Sequence, residues 1–390
     1  MLRVIRALIA LTLFVGVADA GSIFSFNGQG YPLRRVGPRA AGMGGAGRAL
    51  VDGQNLSSFN PALLGAFQRP AMHGVFSLQR RNVEDVRTSR AIADGDITAI
   101  KAVFPFRFRG ALTVGMEGVT DVDITVVDTV GTGGEEHLLG LKGTGGLGAI
   151  VLGFGQKFGN RLFLGAQADL MIVGTLTETW TKDLLNEPQA FFSLDSVTRS
   201  HKGVQFSLGG VFTVGNLSLA GVLKPKAAVT QTVLVENRLT SNAITTDAVE
   251  TERDIRFPTT VSLGFAYAQT SRLITALDFE YAAWGDTAPG RHDTTELALG
   301  IQYQTRPSNP RGIGRRYDLM AGLYRRGLYF AAGNDAVTEL GATVGVGVPF
   351  NKRSGAFRWS LEVGRRGNTT DHGASETYFR QTFSISGWIH

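Results

Sequence analysis

The sequence predicts an all-β fold: a transmembrane outer-membrane β-barrel of about 14 antiparallel strands, with an N-terminal hatch in the lumen. Three observations predict it. Segments of about ten residues alternate apolar with small or polar side chains, the two-residue period of a strand. Short turns alternate with long polar connections, the asymmetry of an up-and-down barrel in an outer membrane. The composition fits a wall with two different faces: of 390 residues 51 are Gly, only 18% are charged, and mean hydropathy is +0.03. An average soluble domain has about 7% Gly and about 25% charge.

The same composition excludes several classes. A disordered chain is more charged and less apolar. Cys is absent, so neither a disulfide framework nor a Cys-ligated metal site is possible. The six His are scattered and form no H-x-x-x-H pair, so no metal and no cofactor is expected. The net charge of +6 is spread without a Lys/Arg block, which leaves nucleic-acid binding without its electrostatic footprint. No segment after the N-terminus is apolar for long enough to form a membrane helix.

Taken in order, residues 1–20 read as a signal peptide. Arg3 and Arg6 supply the positive region, Ala7 to Val17 the apolar stretch and Ala18-Asp19-Ala20 the cleavage site. Residues 21–69 are Gly-rich and weakly periodic, the expected hatch. Residues 70–390 are the expected barrel. Strands are expected at about 70–80, 96–106, 109–120, 145–157, 161–178, 202–214, 216–229, 253–268, 272–284, 294–305, 315–327, 336–348, 356–366 and 376–389. Hairpin turns are expected at Arg107-Phe108, Phe158-Gly159-Asn160, Gly215 and Gln269-Thr270-Ser271. Long loops are expected at 81–95, 121–144, 179–201 and 230–252, with shorter polar ones at 285–293 and 367–375. A ten-residue strand tilted by about 40° spans roughly 25 Å, the height of the outer-membrane apolar band. Only closure satisfies every backbone group there. A secreted β-sandwich shares the alternation, but not the loop asymmetry or aromatics such as Tyr281 and Trp284 near strand ends.

The last strands assign faces. Phe357, Trp359, Leu361 and Val363 share one face, and Arg358, Glu362 and Arg366 the other. Phe379, Phe383 and Ile385 oppose Glu376, Tyr378 and Arg380 in the same way, and Glu339 joins by parity. An Arg facing lipid at the midplane costs about 2–4 kcal/mol, so the charged faces must point inward. Glu339, Arg358, Glu362, Arg366, Glu376 and Arg380 are therefore expected to form a lumen charge ladder bridging wall to hatch. A polar gate or substrate path is the functional alternative.

Two Gly runs fit G-x-G-x-x-G. Neither Gly42 to Gly47 nor Gly143 to Gly148 has the strand before and helix after that a dinucleotide site needs, although Asp169 follows the second at a suitable distance. The first run instead suits a backbone packed closely inside a barrel. No G-x-S-x-G is present, and no catalytic residues are assigned.

Pro38 to Leu50, with Gly42, Gly44, Gly45 and Gly47, followed by Ser58-Phe59 and Asn60-Pro61-Ala62, resembles the N-terminal signature of FadL-like outer-membrane transport proteins. Pro258 to Trp284 resembles that family's paired strands, ending in Asp278, Tyr281 and Trp284. Glu339-Leu340-Gly341 to Pro349 and Glu362 to Gly367 resemble its PorV-like branch. The ending Trp388-Ile389-His390 departs from the aromatic last residue common in such barrels. The resemblance implies a fourteen-stranded barrel closed by its N-terminal segment. It also implies passive uptake of hydrophobic small molecules, fatty-acid-like or aromatic, through a lateral opening in the wall. The implied partners are outer-membrane lipid and lipopolysaccharide, and a hydrophobic ligand. The PorV-like branch implies instead a barrel that binds secreted proteins. An outer-membrane hydrolase is the third class; the expectation is that the chain is not an enzyme. Gly-interrupted strands are the expected place for an opening.

Overall fold

A computed structural model describes residues 22, 24, 29–53, 56–85, 89–107, 109–132, 135–184, 193–239, 244–245, 248–305, 317–332, 335–350 and 355–388. The expected leader, and Phe108 of the first expected turn, lie outside the described residues.

Fourteen strands close into a ring. They are β1 (Ala71–Asp85), β2 (Ser89–Phe106), β3 (Gly110–Asp121), β4 (Glu135–Phe158), β5 (Leu162–Val173), β6 (Ser193–Val214), β7 (Leu217–Lys224), β8 (Thr260–Ala268), β9 (Leu273–Ala282), β10 (Thr294–Gln304), β11 (Asp318–Ala332), β12 (Asp335–Phe350), β13 (Gly355–Asn368) and β14 (Ala374–Trp388). Each pairs antiparallel with the next, and β14 closes on β1 from Ala71↔Trp388 to Asp85↔Ala374. The expected count of fourteen is correct.

Alternation decides the faces. On β8, Val261, Leu263, Phe265 and Tyr267 are exposed, while Thr260, Ser262, Gly264 and Ala266 are buried. The outward set recurs around the ring, for example Leu112 and Met116 on β3, Leu297 and Ile301 on β10, and Phe379 and Ile385 on β14. This belt is the lipid-facing surface of an integral outer-membrane protein.

Among the described residues, the long connections are largely strand rather than loop. Ile124–Thr132, the first part of β4, Thr175–Leu184, the first part of β6, Ala227–Leu239 and Val249–Phe257 pair in that order as a six-stranded antiparallel sheet. It prolongs the wall beyond the barrel on the long-connection side. The expected strands at 216–229 and 253–268 accordingly divide at Pro225 and Pro258, which cannot donate ladder hydrogen bonds. These segments read as loops because neither face meets lipid. Residues 249–254 are all exposed, so the apolar/polar alternation is lost.

Inside the ring runs the N-terminal segment. It holds a four-residue helix, α1 (Pro38–Ala41), and a 3₁₀ turn, Pro61–Ala66. Both start with proline, whose missing N–H costs nothing in a first turn. Ala40, Met43, Ala46, Leu50, Phe59 and Ala62 pack in one cluster with wall residues Phe163, Val211, Ala276, Ala298 and Met320.

Candidate functional site

The wall is interrupted at one level. β2 pairs with β3 from Ala99↔Glu117 down to Phe106↔Gly110 and no further. Register shifts occur at the same height between β1 and β2 at Val75/Phe76, between β3 and β4 at Gly118/Thr120, and between β4 and β5 at Gly148/Ile150. Such bulges twist and bend a strand away from its neighbour. Above them β2 and β3 part. The result is a cleft of about 630 Å³. Its outer lining includes Ile97, Ile100 and Met116, each about half exposed on the lipid-facing side. Its inner lining includes Leu33 of the N-terminal segment, Asp94, Asp96, Glu117 and Asp121. Gly118, Gly145, Gly146, Gly148 and Gly174 line it too, so the second Gly run lies in the wall and precedes no helix. Asp169, at its suggestive distance, pairs with Arg35 instead.

Two lumen cavities lie behind. One of about 70 Å³ shares Leu33, Asp94, Asp96, Glu117, Gly118 and Asp121 with the cleft. A second of about 170 Å³ lies across Leu33–Val36, which line both. Its walls combine Phe59, Phe257, Trp284 and Tyr329 with Lys224, Glu280 and Arg326. Trp284 stacks on Tyr329 with ring centroids 4.4 Å apart.

The N-terminal segment is fastened by charge. Arg34 binds Glu296 at 2.7 Å, Arg35 binds Glu117 at 2.8 Å and Asp169 at 2.5 Å, and Arg48 binds Glu280 at 2.6 Å. Lys101 joins Glu117 at 2.9 Å. Arg39 pairs with Asp52 and Gln302. All these wall acids obey the inward parity that the sequence reveals on the last strands. The signal was present on β3, β5, β9 and β10; Arg34, Arg35 and Arg48 were legible only as partners of those acids.

The Gly run and the Asn-Pro-Ala motif both lie against the wall. Gly44 donates its N–H to Thr343 Oγ1 at 2.7 Å, and Thr343 donates to the Gly42 carbonyl at 3.0 Å. Gly45 packs on the Arg34 guanidinium. The N–H groups of Gly47 and Arg48 donate to Asp278 Oδ2 at 2.8 and 2.9 Å. Asn60 accepts from the Ala62 N–H at 3.0 Å and donates to the Arg48 carbonyl at 2.7 Å. It thus caps the 3₁₀ turn in which Pro61 and Ala62 pack against Gly165. Asn60→Ala is expected to cost about 1–2 kcal/mol, measurable by urea unfolding of the purified barrel.

Five of the six expected ladder residues come together. Arg366 binds Glu339 and Glu376 at 2.9 and 2.8 Å, all three fully buried. Tyr31 donates to Glu339 at 2.5 Å and Ser22 to Glu376 at 2.8 Å, carrying the network into the N-terminal segment. Arg326 adds a second cation to Glu339 at 3.2 Å. Arg380 reaches Glu362 at 3.3 Å, and the Tyr324 hydroxyl touches both Glu339 and Glu362. Arg358 is the exception. It stands eight residues from Arg366, about 26 Å along the strand, opposite Gly347 and Ser384, and donates to Ser386 at 3.4 Å rather than to a ladder carboxylate.

Among solved structures the chain is similar to the CymD monoaromatic hydrocarbon channel, with a TM-score of 0.58, 16% identity, and 92% of this chain and 99% of that one covered. It is also similar to a Pseudomonas aeruginosa FadL homologue, at 0.64, 12%, 93% and 100%. A third is the P. putida toluene transporter TodX, at 0.57, 15%, 92% and 99%. At such identities the likeness is one of fold. No curated protein matches. A family model described as BamG matches residues 1–387, so the chain belongs to the BamG family.

Proposed function

We propose that this barrel lets hydrophobic small molecules pass between the membrane and its lumen through the cleft between β2 and β3. The observation that carries the reading is that one cleft joins lipid-facing Ile97, Ile100 and Met116 to Leu33 in the lumen. A polar lipopolysaccharide leaflet bars apolar solutes, and a side opening bypasses it. The named activities of the structural neighbours, hydrocarbon channel and toluene transporter, support the same chemistry. In this reading residues 21–69 are the plug, Leu33–Val36 the partition between the inner cavities, and the Glu339–Arg366–Glu376 ladder the fastening of plug to wall. Gly118→Trp tests it. A Cβ there points at Leu33 Cδ1, 2.8 Å away, so the indole fills the cleft. Uptake of an aromatic probe by cells with intact lipopolysaccharide should fall roughly tenfold, as an occluded pocket requires. Unchanged uptake by a correctly folded variant sinks the reading.

One observation favours a second reading, a barrel that docks exported polypeptides. The six-stranded extension presents a broad surface outside the membrane, and the lumen beneath it is crowded with ion pairs.

A further inference from the structure

The two outer edges of the extension differ. Val249–Phe257 carries Glu250, Glu252, Arg253, Asp254 and Arg256, the charges that protect an exposed edge strand from unwanted pairing. Ile124–Thr132 has one charged residue, Asp128, no proline, and a run of β-branched residues. Among the described residues it pairs only with the first part of β4, so its other edge is open. Val126, Val127, Leu138 and Leu139 of this hairpin are exposed large apolar side chains. Across the cleft, residues 89–97 of β2 pair only with β1 among the described residues. Two open strand edges therefore flank one slot.

The same edge already accepts a strand. Tyr31 and Pro32 pair antiparallel with Asp121 and Thr120, and the Leu33 N–H donates to the Val119 carbonyl at 2.9 Å. Toward the N-terminus this pairing ends at Tyr31. Gly30, at φ +79°, makes the turn, and a side chain there would strike Val122. The backbone template continues past that point through Ile124–Thr132, which has no second pairing among the described residues.

We propose that Ile124–Thr132 is a strand-addition site for an extended segment of a polypeptide partner outside the membrane. Main-chain hydrogen bonds supply the affinity, and alternate side chains the specificity. The partner segment alternates β-branched residues and carries Lys or Arg at its flank, because Asp94, Asp96, Asp121 and Asp123 line the lower end of the slot. The inference rests on the second reading only for the existence of such a partner; the lower end of the slot is the cleft already described.

The probe is a synthetic nonapeptide alternating Val and Thr with terminal Lys residues, added to the full-length barrel in detergent. Cys is absent from the chain, so Thr129→Cys gives a single nitroxide site on the exposed edge. The expected result is saturable binding with immobilisation of that label. Affinity should drop roughly tenfold for a peptide with a central proline, for one with terminal Glu, and for the Val127→Lys/Thr129→Lys barrel. Absence of binding overturns the proposal. So does binding that the proline peptide and the edge variant both retain, which would leave a partner surface elsewhere and the second reading standing. Heat-modifiable gel mobility confirms that each variant is folded.

Discussion

Glu339→Ala should be the most destabilising single substitution in the lumen, at about 3–5 kcal/mol. Glu339 is fully buried between Arg366 and Arg326 and accepts from Tyr31 and Tyr324. Removing one partner of a buried pair costs more than the pair contributes, because the other charge remains desolvated. Here two guanidinium groups lose their shared carboxylate, and Arg366 keeps Glu376 as its one ion-pair partner among the described residues. Urea unfolding followed by gel mobility gives the difference. Glu339→Gln keeps the shape and an acceptor for Tyr31, so it should lose less. A loss below about 1 kcal/mol, the scale of an exposed pair, would show that water reaches the network.

Gly322→Leu should unseat the N-terminal segment. Gly322 faces the lumen on β11, and a Cβ there would fall on the backbone of Met43 and Gly44. Backbone cannot swing aside as a side-chain tip does, so segment and wall must separate locally, at a cost of about 1–3 kcal/mol. If residues 21–69 plug the barrel, liposome swelling in a small sugar should accelerate by roughly tenfold, since an unplugged lumen of this strand number admits water. A chain lacking 21–69 sets the ceiling. Unchanged swelling in both would remove the plug assignment.

Much of the wall was legible because lipid imposes a strict alternation. The strand cores of β8, β9 and β10 fall where the period of two places them. The extension was not legible, since water on both faces of Val249–Phe257 removes the signal. At the site, parity on β13 and β14 placed Glu362, Arg366, Glu376 and Arg380 inward, but parity gives a face and not a height, which is why Arg358 was grouped with them. The cleft is not legible in the sequence for a related reason. A bulge at Gly118 is a change of register between strands, and glycines in β4 mark several candidate places equally well.

The route of the N-terminal segment constrains how the protein is made. Ser22 meets Glu376 near the long-connection end, whereas Ala71 starts β1 at the opposite end beside Trp388. The segment thus runs the length of an enclosed cylinder. In the finished fold the seam between β14 and β1 encloses it. That seam links residues about 300 positions apart, the kind of pairing that forms slowly. The inward charges of β12, β13 and β14 act meanwhile as a ruler. A one-residue slip of β13 would turn Arg366 outward to lipid, so only the correct register finds Glu339 and Glu376. The network that stabilises the finished barrel is also a proofreading device for its assembly.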